Sequence, residues 1–217
     1  STAEAGALAG RLRDMGAATA VVQADLTDRI ALQGVVGAAS KALGRPIQLL
    51  VNNASVFEAD SLMDFDWDVW DSHFGVQLEA PVMLTRQFAE ALPAGMEGLV
   101  VNMLDQRVWK PTPRYFSYML SKAALLAATK TMAQALAPHI RVNAIGPGPT
   151  LRNDGQTDAQ FADVVDAVLL RRGPAASEFG ATIRYLWQAR SITGQMIALD
   201  GGQHLAWQTP DATGPGE

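Results

Sequence analysis

The chain contains no cysteine, which removes disulfides and thiolate chemistry and suits a reducing compartment such as the cytoplasm. Histidine is nearly as scarce. His73, His139 and His204 stand far apart in the sequence, so no histidine-based metal site is expected and no metal is assigned. No stretch reaches the ~18 apolar residues that suggest a membrane-spanning helix. The formal net charge of -5 leaves no basic face for nucleic acid. The chain's 217 residues are 48% hydrophobic and 18% charged, enough to bury one sizeable core and too apolar for a disordered chain.

The apolar pattern alternates between two periods. Leu8 and Leu12 mark an amphipathic helix over 4–15, and "ATAVVQAD" reads as a short strand ending at Asp25. "LTDRIALQGVVGAASKALG" offers Thr27 as a helix cap and an apolar face through Leu32, Val35 and Val36. "IQLLVNNAS" is an almost wholly apolar strand, the mark of a parallel sheet covered on both faces. A long helix is expected over 65–92, then the strand "GLVVNML", then a helix from near Arg114 that stops before Pro138. "IRVNAIGPGP" is a strand running into a rigid turn. Helices about 160–170 and 175–189 and the strand "QMIALDGG" follow. The alternation predicts a single α/β domain over 1–207 with a doubly wound, mostly parallel Rossmann-type sheet, and a loose tail over 208–217.

Chemistry-bearing residues gather at predicted strand ends. Tyr118 and Lys122 are spaced i, i+4, so one helix face carries both head groups. An ammonium near a phenol favours the phenolate and lets the tyrosine exchange a proton near neutral pH. Asp105 ends the preceding apolar run. It reads either as a site carboxylate or as a helix-capping or salt-bridging group. Asn52, Asn53, Ala54 and Ser55 end another strand, Pro147 and Gly148 a third, and Asp25 an earlier one. Open α/β sheets bind ligands at such ends. Behind Tyr118 runs a stripe of small residues, Ala123, Ala124, Ala127, Ala128 and Thr131, that suits close approach to the sheet or to a second subunit.

Taken in chain order, "ADL" at 24–26, "NNAS" at 52–55, Tyr118 to Lys122, "RVNAIGPGP" at 141–149 and "DGG" at 200–202 resemble a short-chain dehydrogenase/reductase. The resemblance implies catalysis by Tyr118, which protonates the substrate, and Lys122, which lowers the phenol's pKa and holds the nicotinamide ribose. It places Asp25 and Leu26 at the adenine, Asn53 and Ala54 along the cofactor, and Pro147, Gly148 and Thr150 toward the nicotinamide. Within the family the chain is most similar to the pteridine reductase and dihydromonapterin reductase branch. That branch carries aspartate where the family usually has serine, here Asp105. A carboxylate only accepts hydrogen bonds, which suits a substrate edge of N–H groups. Ser55 and Phe57 of "NNASVF" would hold a flat heterocycle, an aromatic wall suiting a planar ring. NADPH is the implied cofactor, with Ser1 beside its 2′-phosphate. A homodimer or homotetramer is the implied assembly.

Two departures qualify this. Gln77 in "FGVQLEAP" stands where the family commonly has asparagine supporting a water–lysine relay. The family's opening strand, glycine-rich turn, helix and second strand are also absent, since no GxxxGxG occurs. The sequence is therefore expected to be a piece of a longer protein, or one that pairs with a separate segment, lacking the first two strands and with them the centre of the sheet. Three functions follow: NADPH-dependent reduction of a pterin-like nitrogen heterocycle, reduction of an ordinary ketone by a carbonyl reductase or alcohol dehydrogenase, and a non-catalytic subunit or binding module.

Overall fold

The computed structural model describes residues 2–153 and 155–207. Ser1 and the expected tail over 208–217 lie outside the described residues. The elements run α1 (Thr2–Asp14), α2 (Val35–Leu43), β1 (Leu49–Asn52), α3 (Trp67–Phe74), α4 (Ala80–Ala91), β2 (Gly98–Met103), α5 (Phe116–Leu136), β3 (Ile140–Pro147), α6 (Asp158–Asp166), α7 (Ala176–Gln188) and β4 (Met196–Leu199). A π-helical segment, Gly75–Glu79, joins α3 to α4. The expected long helix over 65–92 is thus one continuous rod with a widened middle.

The four strands form one parallel sheet in the order β1-β2-β3-β4. Alternation along β2 sorts its side chains onto two faces. Val100 joins Val36, Phe88, Ala133, Ile140 and Val142 in the cluster beneath α2, α4 and α5. Leu99 and Val101 join Ile145 and Leu186 beneath α7. Helices cover both faces of the central β2 and β3, whose apolar side chains lose water on both sides, whereas β1 and β4 at the margins stay partly exposed. Each fully buried large side chain contributes about 1.5–3 kcal/mol.

Polar groups tie the layers together. Asn52 and Asn102 are register partners. The Asn52 Nδ2 donates to Asn102 Oδ1 at 2.8 Å, and Asn102 Nδ2 donates to Thr129 Oγ1 on α5 at 2.9 Å. This chain of amides locks α5 to the sheet at one height, because each buried polar group needs its partner. Opposite, the Arg141 guanidinium donates to the carbonyls of Leu186, Ala189 and Ile192 at the end of α7.

Two expectations near the start are corrected. The segment 17–25 forms no strand: a strand is held by its neighbour's ladder, and no described strand lies beside it. The helix expected from Thr27 begins only at Val35. Thr27 instead folds back, its N–H and its hydroxyl both donating to Asp25 Oδ1 at 2.9 and 2.7 Å. An Asx turn of this kind competes with helix initiation. The Asp28 side chain repeats the pattern two residues on, accepting from the Ile30 N–H at 2.7 Å.

Candidate active site

Because all strands are parallel, their carboxyl ends share one edge, and the loops leaving β1, β2 and β3 meet there. Above this edge lies a cavity of about 940 Å³. Among the sequence-derived candidates, Phe57, Asp105, Tyr118, Pro147, Gly148 and Thr150 line it.

The start of α5 is held firmly. The Asp60 carboxylate accepts from the Ser117 N–H at 3.0 Å and from the Ser117 hydroxyl at 2.5 Å. His73 Nδ1 lies 2.7 Å from Ser117 Oγ, and its Nε2 accepts from the Glu58 N–H at 3.2 Å. That assigns the ring proton to Nδ1, which donates to Ser117 while Ser117 donates to Asp60. Burial lowers the His73 pKa, against the charges of Asp60 and Glu58, so the neutral tautomer fits. Tyr115, the residue immediately before α5, takes φ 57°, a left-handed conformation uncommon for a side chain of this size. The Tyr115 ring stacks on Phe57, with centroids 4.2 Å apart and planes at 15°.

Tyr118 is 5% exposed and donates from its hydroxyl to Asp105 Oδ2 at 2.9 Å. The other Asp105 oxygen accepts from the Arg107 N–H at 2.8 Å and caps the short 3₁₀ turn Gln106–Val108. The capping reading of Asp105 accounts for one oxygen, and the other is bonded to Tyr118. Burial raises the Tyr118 pKa well above its ordinary value. The charge and hydrogen bond of Asp105 push the same way, while Arg107 and the Ser55 hydroxyl oppose. This reverses the expectation that Lys122 eases the phenol toward phenolate. The Lys122 Nζ sits 5.7 Å from the Tyr118 ring centroid and donates instead to the Met103 carbonyl at 2.8 Å. Burial lowers the Lys122 pKa to about 8, with Asp105 opposing.

The remaining candidates are placed as follows. Asn53, Ala54 and Ser55 are exposed on the loop after β1, and Lys122 is buried beside the ring of Tyr118. Asp25 is exposed and Leu26 half-buried, on the turn that packs through Thr27 against Gly75. Ser1 lies outside the described residues. Gln77 does not reach Lys122. From its π-helical turn it donates to Ser121 Oγ at 2.9 Å and accepts from the Val56 N–H at 3.4 Å. It ties the Ser55–Phe57 loop to α5. Sequence reasoning missed Arg107, Tyr115 and the Asp60–Ser117–His73 chain. For Arg107 a signal existed, a lone cation close after the strand-end aspartate. The other groups converge only in space.

With the site in view, comparison with known proteins is informative. The sequence model of the family described as enoyl-(acyl carrier protein) reductase matches residues 2–204. The crystal structure of FolM alternative dihydrofolate reductase 1 from Brucella suis, in complex with NADP, superposes with a TM-score of 0.93 at 55% identity, covering 97% of this chain and 84% of that one. Protein FixR of Bradyrhizobium diazoefficiens is 35% identical over 84% of this chain and 69% of its own length. Dihydromonapterin reductase of Klebsiella pneumoniae is 32% identical over 60% of this chain and 55% of its own. The parallel sheet, the buried tyrosine–lysine pair and these matches define a reductase of the short-chain type. The chain belongs to the short-chain dehydrogenase/reductase family and is closely related to its FolM and pteridine-type reductases.

Proposed function

We propose that this protein catalyses NADPH-dependent reduction of a pterin-like nitrogen heterocycle. The observation that carries the reading is the Asp105 carboxylate bonded to the Tyr118 hydroxyl at the cavity wall. The chain's similarity to an alternative dihydrofolate reductase and to a dihydromonapterin reductase supports it.

The donor set suits the nicotinamide half of the cofactor. Lys122 is buried with a single hydrogen bond among the described residues, leaving two ammonium donors for ribose hydroxyls. The turn Pro147–Thr150 faces the same cavity, and Asn53 and Ala54 are exposed on the loop after β1. Asp25 and Leu26 are assigned to the adenine end on the family resemblance. When bound, the reduced cofactor supplies hydride to the substrate carbon of a C=N bond.

The chain's own residues supply the rest. Asp105 Oδ2 faces the cavity, where it accepts hydrogen bonds from the heterocycle's N–H edge. Such an edge matches an acceptor-only carboxylate, whereas a developing alkoxide would be repelled by it. Tyr118 remains a phenol because of its burial, so it is a proton donor toward the ring nitrogen that gains a proton. Arg107 and the Ser55 hydroxyl, which both draw the phenol's pKa down, ease the tyrosinate left behind until solvent returns the proton. Lys122, anchored to the Met103 carbonyl, keeps its free donors for the cofactor ribose. Phe57 and Ser55 form the edge on which the ring rests.

The test is NADPH oxidation with dihydrobiopterin and dihydrofolate against a panel of simple ketones. Turnover of the heterocycles in preference to ketones is expected; preference for ketones would transfer the protein to the carbonyl reductases. We further propose a single domain over 1–207, a cytoplasmic location consistent with the cysteine-free chain, and a dimer or tetramer. The exposed Ala123, Ala127 and Thr131 on α5 support that assembly. Sedimentation that shows monomer alone would remove it. Among the described residues no helix is long and apolar enough to cross a membrane.

A further inference from the structure

Arg107 is half-buried on the cavity wall, two residues beyond Asp105. Its guanidinium carbon lies 5.5 Å from the ring centroids of both Phe57 and Tyr115. Those two rings are stacked, so they form a firm apolar platform holding the guanidinium in place. The side chain makes no ion pair or hydrogen bond with any described residue. Asp105 accepts from the Arg107 backbone N–H, not from its side chain. Asp163, the other described acid on the wall, forms no pair with it either.

A guanidinium held against aromatic rings loses part of its hydration yet keeps its planar fork of donors. Being half-buried on the cavity wall, that fork is completed by water in the free protein and is open to a ligand that displaces the water. A fork of this shape matches a carboxylate or phosphate, accepted in bidentate fashion. Meanwhile the Phe57 edge and the Asp105–Tyr118 pair occupy the adjoining wall. One ligand therefore meets an aromatic edge, a carboxylate acceptor and a free cation together.

We infer that Arg107 is a specificity-determining residue that selects heterocycles bearing an anionic substituent, a carboxylate or a phosphate, over those with neutral side chains. This inference rests on the heterocycle reading proposed above. The heterocycle's nitrogen edge turns to Asp105, and its acidic substituent lies along the Phe57–Tyr115 platform against Arg107.

The experiment uses three reduced pterin-type substrates sharing one ring: one with a hydroxyalkyl side chain, one with a carboxylate-bearing side chain and one with a phosphate-bearing side chain. kcat/KM is measured for wild type, Arg107→Gln and Arg107→Lys. Wild type is expected to favour an anionic substrate by about 10–100-fold, the range of a charge-assisted hydrogen-bond pair. The carboxylate and phosphate arms identify which anion is read. In Arg107→Gln the anionic-to-neutral ratio falls toward unity, mainly through KM, and Arg107→Lys restores part of it. Any loss through Tyr118 acts on all substrates alike and cancels in the ratio.

A wild-type ratio near unity, or a ratio unchanged in Arg107→Gln, overturns the inference while leaving the heterocycle reading standing. Absence of turnover with every pterin overturns that reading. The anion site is then judged by calorimetry with an aromatic carboxylate and its amide. Tighter carboxylate binding that is lost in Arg107→Gln supports it, and equal binding of the two overturns it.

Discussion

The Tyr118 hydroxyl donates to Asp105 Oδ2 at 2.9 Å while Asp105 Oδ1 caps the turn Gln106–Val108 by accepting from the Arg107 N–H. One carboxylate thus holds the phenol and anchors the loop on the cavity wall. A serine could receive the tyrosine, but it could not also present an anionic acceptor to a substrate N–H edge.

Asp105→Asn keeps a capping oxygen and removes the charge. Its folding stability is expected to stay within about 1 kcal/mol of wild type. Its kcat/KM on dihydropterins should fall by ~10²–10⁴, the range for a positioned acid–base group. Asp105→Ser should lose heterocycle turnover and gain on simple ketones. Steady-state kinetics on both substrate classes, with thermal melts of each variant, check this.

Lys122 links stability to pH. Its folded pKa of about 8 lies below the ordinary 10.5, so between these values the unfolded chain binds the extra proton. Raising the pH through this window therefore favours the fold, and lowering it through 8 leaves the full burial cost in place, about 3 kcal/mol at most. Tyr118 works the other way. Its raised pKa favours the fold below pH 10, and that contribution is lost as pH rises through the folded value. Denaturant titrations of the cofactor-free protein should show stability rising from pH 8 to near 10 and then turning over. Lys122→Met should abolish the rise.

Ser117 is fully buried between Asp60 and His73. Ser117→Ala leaves both neighbours short of a partner, at a cost of about 1–3 kcal/mol. Since Tyr118 is the next residue, kcat should fall more than KM rises. A melt showing no loss of stability would mean that the chain of hydrogen bonds does not hold α5.

At Gly148 the turn after β3 passes so close to Asp200 that an added Cβ would lie 2.6 Å from its Cα. Both are backbone-bound, so neither can rotate away. Gly148→Ala is expected to cost about 1–3 kcal/mol and to raise the KM for NADPH by shifting Pro147–Thr150. Calorimetric titration of the cofactor reads the shift directly.

How far the sequence alone reached depends on the range of the forces involved. "IQLLVNNAS", "GLVVNML" and "IRVNAIGPGP" announced β1, β2 and β3, because a strand covered on both faces must be apolar throughout. The i, i+4 spacing of Tyr118 and Lys122 was enough to set them on one face of α5. By contrast, the segment 17–25 has the composition of a strand but no described neighbour, and strand formation depends on that neighbour. Thr27 looked like a helix cap; its bond to Asp25 was the competing local choice.

What the sequence determined by itself was what local periodicity and side-chain chemistry dictate: a parallel α/β sheet, the tyrosine–lysine helix, and an aspartate at the end of β2. Tertiary structure alone decided which oxygen of Asp105 serves which partner, that Lys122 bonds the Met103 carbonyl, and that His73 and Asp60 meet at Ser117. It also brought Phe57, Tyr115 and Arg107 together. The physical reason is that hydrogen bonds and ring stacking act over a few ångströms, between groups that only the packed chain brings within reach.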